Sequence, residues 1–371
     1  MPATEFLKIL NHFSSSDPTQ TEERLTSAVI RCSLTFLTRA RSLITQFWPP
    51  APTFTDADIP KGSQAGRVFM VTGGNAGIGY ELCRILFATG ATVYMATRSK
   101  ERADASIQSI KASCADSDAT TGQLKFLHLD LSDLASVRDA ARRFAQAENK
   151  LDVLWNNAGI GPNSVELSVR TAQDLELFMG VHCVGALLFT ELLLPQLRAA
   201  ASSEHPSRVI WLSSILVDTS APRDGVDFAV LETGTRDQTT NYAASKAGAW
   251  ALGREFGRRH VSDNILSVAM NPGNLDSGSF KGTPRFAMFM MRMLWLQKPI
   301  FGAYTELFAG LSPEVTRDTC SKYIFPWGRL VPDSSIVRQD VVKAAESEEQ
   351  GGLGYGKKLW EWCKTKWKLT E

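Results

Sequence analysis

Apolar positions change their period along this chain. Leu25, Val29, Cys32, Phe36, Ala40, Leu43 and Phe47 recur at steps of three or four. That spacing lines one face of a helix. Trp48-Pro49-Pro50-Ala51-Pro52 ends it, because proline has no N–H to continue the ladder. Residues 49–65 then read as an irregular linker. From Gly66 short apolar and β-branched runs take over, at 67–72, 91–96, 124–129, 151–155, 208–212 and 265–270. Runs of that length read as strands buried on both faces. Between them lie helical stretches at 80–89, 101–113, 134–148, 174–199 and 242–259. Strands that alternate with helices in this way predict an α/β fold, a doubly wound parallel sheet covered on both faces.

The pattern divides the chain into three parts. Residues 1–65 form a helical N-terminal extension with its linker, 66–335 a single domain, and 336–371 a helical C-terminal tail. Two readings of the N-terminal helix stay open. It packs on the core or a partner, or it lies on a membrane surface, since Arg24, Arg31, Arg39 and Arg41 sit among its apolar positions. The tail, with KKLWEWCKTKWKL at 357–369, is basic and tryptophan-rich, and the same two readings apply to it.

Composition narrows the partners. A net charge of +1 gives no basic footprint for nucleic acid. The six cysteines are scattered without a CxxC pair, and the five histidines lack ligand spacing, so no metal site is expected. No apolar run approaches the roughly 18 residues of a spanning helix. The N-terminus shows no secretory h-region. A cytoplasmic protein is expected, with peripheral membrane contact and a homo-oligomer both left open.

Thr72-Gly73-Gly74-Asn75-Ala76-Gly77-Ile78-Gly79 joins the first strand to the first helix. Glycines there let the backbone approach a pyrophosphate, and the helix start favours the anion. At the end of the second strand, an acid would bind the ribose 2′-hydroxyl of NAD. Here Thr97, Arg98, Ser99 and Lys100 stand instead. A guanidinium pairs well with a 2′-phosphate, so Arg98 and Lys100 point to NADP.

Further motifs follow in order: Asp130-Leu131, Asn156-Asn157-Ala158-Gly159, Tyr242-Ala-Ala-Ser-Lys246 and Pro272-Gly273. With the glycine turn they resemble the short-chain dehydrogenase/reductase family over about residues 66–335. The chain looks most like the retinol-dehydrogenase-like and fungal reductase members; 49–60 and 323–329 are similar to fungal stretches. The resemblance implies a Rossmann-type domain that moves a hydride between NADP(H) and a carbonyl or secondary alcohol. It implies that Gly73, Asn75, Gly77, Ile78 and Gly79 hold the dinucleotide and that Asp130 bonds the adenine amino group. Asn157, Ala158 and Gly159 would line the ribose side. Leu275 and Ser277 fall where a carboxamide contact is usual. A role in secondary metabolism is the corresponding expectation.

The spacing of Tyr242 and Lys246 puts both on one helical face. A tyrosine with a pKa near 10 is a poor base, and a neighbouring ammonium is expected to lower it. By the family pattern Ser214 positions the substrate oxygen, with Ser213 the alternative. His182 stands where the family usually has an asparagine that helps hold a proton-relay water. Histidine could carry that relay or impair it. Residues 278–301, rich in methionine and phenylalanine, would close over a hydrophobic small molecule or simply pack on the core. Two rivals remain: a cofactor-binding regulator without catalysis, and a membrane-surface interaction protein.

Overall fold

The computed structural model describes residues 41–114, 122–276 and 283–368. Its strands are β1 (Val68–Thr72), β2 (Thr92–Thr97), β3 (Gln123–His128), β4 (Val153–Asn156), β5 (Ser207–Leu212), β6 (Ile265–Met270), β7 (Tyr323–Phe325) and β8 (Arg329–Val331). They form one sheet in the order β3-β2-β1-β4-β5-β6-β7-β8. All neighbours pair parallel except β8, which runs antiparallel to β7. The order reverses between β1 and β4, and the carboxyl ends of those strands open a crevice there.

The helices are α1 (Gly77–Ala88), α2 (Lys100–Ser113), α3 (Leu134–Ala147), α4 (Leu177–Leu192), α5 (Leu194–Ala200), α6 (Leu216–Ser220), α7 (Gln238–His260), α8 (Arg285–Leu294), α9 (Pro299–Leu311), α10 (Gln339–Ala345) and α11 (Tyr355–Trp367). Side chains alternate along β1, with Val68 and Met70 on one face and Phe69 and Val71 on the other. The first face buries Phe144 of α3, Leu187 of α4 and Trp250 of α7. The second buries Leu82 of α1, Ile110 of α2 and Phe308 of α9. This is the doubly wound α/β sheet that the pattern predicts.

Three features differ from the sequence reading or extend it. The helix expected over 174–199 is two, bent by 56° between Leu192 and Leu194. Pro195 lies in the first turn of α5, where its missing N–H costs least, so the helix restarts there. Strands β7 and β8 have three residues each, too few to show a period around Pro326-Trp327-Gly328. The C-terminal tail folds back as α11, which buries Leu359, Trp360 and Cys363 in the core beside α7.

Of the N-terminal helix, the positions from Leu25 to Ala40 lie outside the described residues; 41–47 are helical. No single helix among the described residues is long and apolar enough to cross a membrane.

Candidate active site

The glycine turn follows β1 directly. Gly73 and Gly77 adopt φ of 69° and 54°, left-handed values that glycine takes without steric cost. At Gly79 the constraint is space: a Cβ would stand 2.6 Å from both Asn157 Nδ2 and Gly73 O. Asn157 closes the turn from below, its Nδ2 donating to Thr72 O at 2.7 Å. The Ala158 N–H donates to Thr72 Oγ1 at 2.9 Å, which ties the end of β4 to the end of β1. Helix α1 begins without a side-chain cap, so its first N–H groups face the crevice unpaired by any cap.

A cavity of about 270 Å³ occupies the crevice. Of the residues singled out in the sequence, Gly73, Asn75, Gly77, Ile78, Arg98, Asp130, Asn157, Ala158, Gly159, Tyr242 and Lys246 line it. Asn75 is held in place twice: Thr97 Oγ1 donates to its Oδ1 at 2.8 Å, and Ser106 Oγ donates to its carbonyl at 3.0 Å. Asp130 accepts from the Ser132 N–H and hydroxyl through one carboxylate oxygen, at 2.9 and 2.6 Å.

Lys100 is not brought to the cavity. It points outward on α2, pairs with Asp104 at 2.6 Å and lies over the Phe126 ring. Arg102, in the first turn of α2, lines the cavity in its place. The sequence reading missed it, although it stands only four residues beyond Arg98 in the same basic stretch. Leu275 is buried behind the lining, its side chain beside Ile78 and Gly302. Ser277 lies outside the described residues.

Tyr242 and Lys246 line the inner end of the cavity. Lys246 is buried on α7 and its Nζ donates to Leu212 O at 3.0 Å. Burial pushes it down to about 8. Glu306 of α9 lies fully buried nearby, and neither carboxylate oxygen has a hydrogen-bond partner among the described residues. Burial pushes Glu306 well above the usual carboxylate range, and its pull on Lys246 works against the lowering that burial imposes on the lysine.

Tyr242 departs from expectation. Burial pushes its phenol up to about 12, and only a hydrogen bond with the Ser214 hydroxyl opposes the rise. The Lys246 ammonium, 5.6 Å from the ring centroid, does not draw it down. The lysine is itself desolvated and spends a donor on Leu212. The two serines separate clearly: Ser213 Oγ donates to the Lys246 carbonyl at 3.1 Å, while Ser214 is the one that meets Tyr242.

His182 lies inside α4, within a wider π turn over Gly180–Gly185. Its Nε2 accepts the Ile160 N–H at 3.0 Å, and its Nδ1 meets Ser245 Oγ at 2.8 Å. Both ring nitrogens are therefore engaged. Burial, then the Lys246 charge, hold it well below its ordinary value and neutral.

These residues fit a nicotinamide dinucleotide. A cradle that excludes Cβ atoms, an uncapped helix start and two arginines at one end meet Tyr242 and Lys246 at the other. Among the described residues no His, Cys, Asp and Glu group is arranged to hold a metal.

Comparison with known proteins agrees with this geometry. Residues 67–225 match the short chain dehydrogenase family model. The chain is 45% identical over 325 residues to the short-chain dehydrogenase/reductase iacJ of Pestalotiopsis fici, covering 87% of this chain and 96% of that one. It is 40% identical to a short-chain dehydrogenase/reductase of Phomopsis amygdali, covering 85% and 93%. Among solved structures it is similar to Pseudomonas aeruginosa RhlG in its NADP active-site complex, with a TM-score of 0.55 and 25% identity, covering 71% of this chain and 96% of that chain. The chain belongs to the short-chain dehydrogenase/reductase family and is an NAD(P)-dependent oxidoreductase.

Proposed function

We propose that the protein uses NADP(H) to interconvert a carbonyl and a secondary alcohol on a bulky hydrophobic small molecule. The observation that carries the reading is that one cavity is lined by Tyr242 and Lys246 at its inner end and by Arg98 and Arg102 at its outer end.

When bound, a nicotinamide would supply or accept the hydride. The turn Gly73–Gly79 would hold the pyrophosphate, and Arg98 with Arg102 the 2′-phosphate. Lys246 keeps two N–H donors beyond the one on Leu212 and can offer them to ribose hydroxyls. The Ser214 hydroxyl orients the substrate oxygen. Tyr242 Oη then gives that oxygen a proton. A phenol held near 12 stays protonated at neutral pH, yet is still a far stronger acid than the alcohol it forms. The protonated phenol is the form that reduction requires. An apolar partner is consistent with α8, where Phe286 is 77% and Met293 70% exposed.

Purified protein with NADPH or NADH and a panel of hydrophobic ketones and aldehydes tests the reading. NADPH consumption, at least about tenfold faster than NADH consumption, is expected. Cofactor binding with no turnover across the panel would instead favour a non-catalytic regulator.

The exposed α8 face also favours a second reading, contact with a membrane surface. Co-sedimentation with anionic liposomes should then fall in a Phe286→Ser, Met293→Ser double variant. Equal pelleting of variant and wild type would remove this reading.

A further inference from the structure

Gln46 belongs to the stretch that precedes the sheet, yet it is only 1% exposed. Its Nε2 donates to Asp218 Oδ2 at 2.8 Å, and its Oε1 accepts from Asn271 Nδ2 at 2.9 Å. The partners fix the orientation of the amide, since a flipped side chain would set its oxygen against the carboxylate.

Both partners sit where the substrate side is built. Asp218 is on α6, the short helix that follows Ser214. In that segment the Leu216 N–H donates to Ser214 Oγ at 3.2 Å, and the Asp218 N–H donates to Ile215 O at 2.9 Å. Asn271 follows β6; its Oδ1 accepts the Gly273 N–H at 3.0 Å and its own N–H donates to Ile324 O at 2.9 Å. One amide therefore joins the segment that carries Ser214 to the turn after β6.

Neighbouring residues add two more attachments. Trp48 Nε1 donates to Leu294 O, at the end of α8, at 3.2 Å. Arg329 donates to the carbonyls of Pro50 and Ala51 at 3.0 and 2.7 Å. The stretch 46–51 thus touches α6, the β6 turn, α8 and β8, all on one side of the molecule.

We propose that Gln46 is a positioning residue for the active site, holding the Ser214 segment against the turn after β6 so that residues 41–52 form an outer wall of the substrate side. The proposal rests on the reading that Ser214 orients the substrate oxygen. Gln46 itself reaches none of the residues that line the cavity, so the effect of losing it falls on the Ser214 segment and on kcat ahead of NADPH affinity. The charged and titratable groups around the joint are Asp218 on α6, Arg338 and Asp340 at the start of α10, and Tyr323 on β7.

Two variants in the full chain test it, Gln46→Met and Gln46→Glu, with Ser214→Ala as reference. The readouts are NADPH affinity by fluorescence titration, kcat and KM for a reducible hydrophobic ketone, and the melting temperature. Gln46→Met leaves Asp218 and Asn271 without their partner, so kcat should fall about tenfold while NADPH affinity stays within about twofold. Gln46→Glu sets two carboxylates against each other. Its loss should be large at about pH 8 and recover by more than about half near pH 6, where the pair shares a proton. Should Gln46→Met fail to fold, the pH recovery of Gln46→Glu carries the test alone. The proposal is overturned if the variants keep kcat and KM within about twofold of wild type at both pH values, or if NADPH affinity falls in step with kcat. A Ser214→Ala variant with full kcat would overturn the reading of Ser214, and this inference with it.

Discussion

The imidazole of His182 accepts the backbone N–H of Ile160 at Nε2, and this one bond fixes its tautomer. Nε2 carries no proton, so Nδ1 does, and it donates to Ser245 Oγ at 2.8 Å. Ser245 in turn donates to Tyr242 O at 2.7 Å. The chain of donors runs from the loop after β4, through the ring, to the backbone of α7. His182 so placed braces the site and has no free nitrogen left for a relay water. Its folded pKa lies below the ordinary 6.5, so the unfolded chain binds the proton more tightly. Stability present above about pH 6.5 should therefore be lost as pH falls below it. His182→Asn should flatten that loss, measured as the difference in melting temperature between about pH 7.5 and pH 5.5. His182→Ala leaves the part-buried Ile160 N–H without its partner and should cost about 1 kcal/mol by denaturant titration.

Cofactor choice should follow the two arginines at the outer end of the cavity. Neither Arg98 nor Arg102 has an ion-pair partner among the described residues, so each is available to a phosphate. Arg98→Ala should raise the KM for NADPH by about ten- to a hundredfold, the equivalent of a charged hydrogen bond of about 1.5–3 kcal/mol. The KM for NADH should change little. Lys100→Ala should leave both values near wild type, because Lys100 faces outward onto Asp104.

Gly79→Ala should weaken cofactor binding through the turn itself. The new methyl would meet Asn157 Nδ2 and Gly73 O at 2.6 Å, and one of them is backbone. Relief requires the clamp between β1 and β4 to shift. A loss of about 1–3 kcal/mol in unfolding free energy is expected, with a parallel loss of NADPH affinity by titration.

Lys246 should link activity and stability to pH in opposite directions. Burial lowers it to about 8, so in the free enzyme it loses its charge above that value. The pH profile of kcat/KM for reduction should decline above about pH 8. For stability the sign reverses: the cost of burying the ammonium is fully present below about 8 and disappears as pH rises to 10.5, the unfolded value. Lys246→Met should therefore gain more in melting temperature at about pH 7 than at about pH 10, while losing activity at both.

Much of the fold was legible because it is written in local runs. The strands from β1 to β6 are continuous apolar segments, and the helices between them show their own period. The three-residue β7 and β8 carry no such signal and owe their place to pairing with β6. Around the cavity, the residues with a backbone reason to be glycine, such as Gly73 and Gly77, stand out in sequence. Effects that depend on burial do not. The Tyr242–Lys246 spacing suggests a lowered phenol, whereas the depth of the pair raises it to about 12. Gln46 was equally hidden: its partners lie 172 and 225 residues away, and nothing local marks a glutamine as buried.

In the proposed NADPH-dependent reduction, Tyr242 gives the proton to the substrate oxygen. Stopped-flow measurement of NADPH oxidation with a reducible hydrophobic ketone, in wild type and Tyr242→Phe, tests it most directly. The phenyl ring keeps the packing against Phe178 and His182 but removes Oη. NADPH affinity should stay unchanged while kcat falls by about a hundredfold or more. A Tyr242→Phe protein that binds NADPH and turns over at the wild-type rate would contradict it.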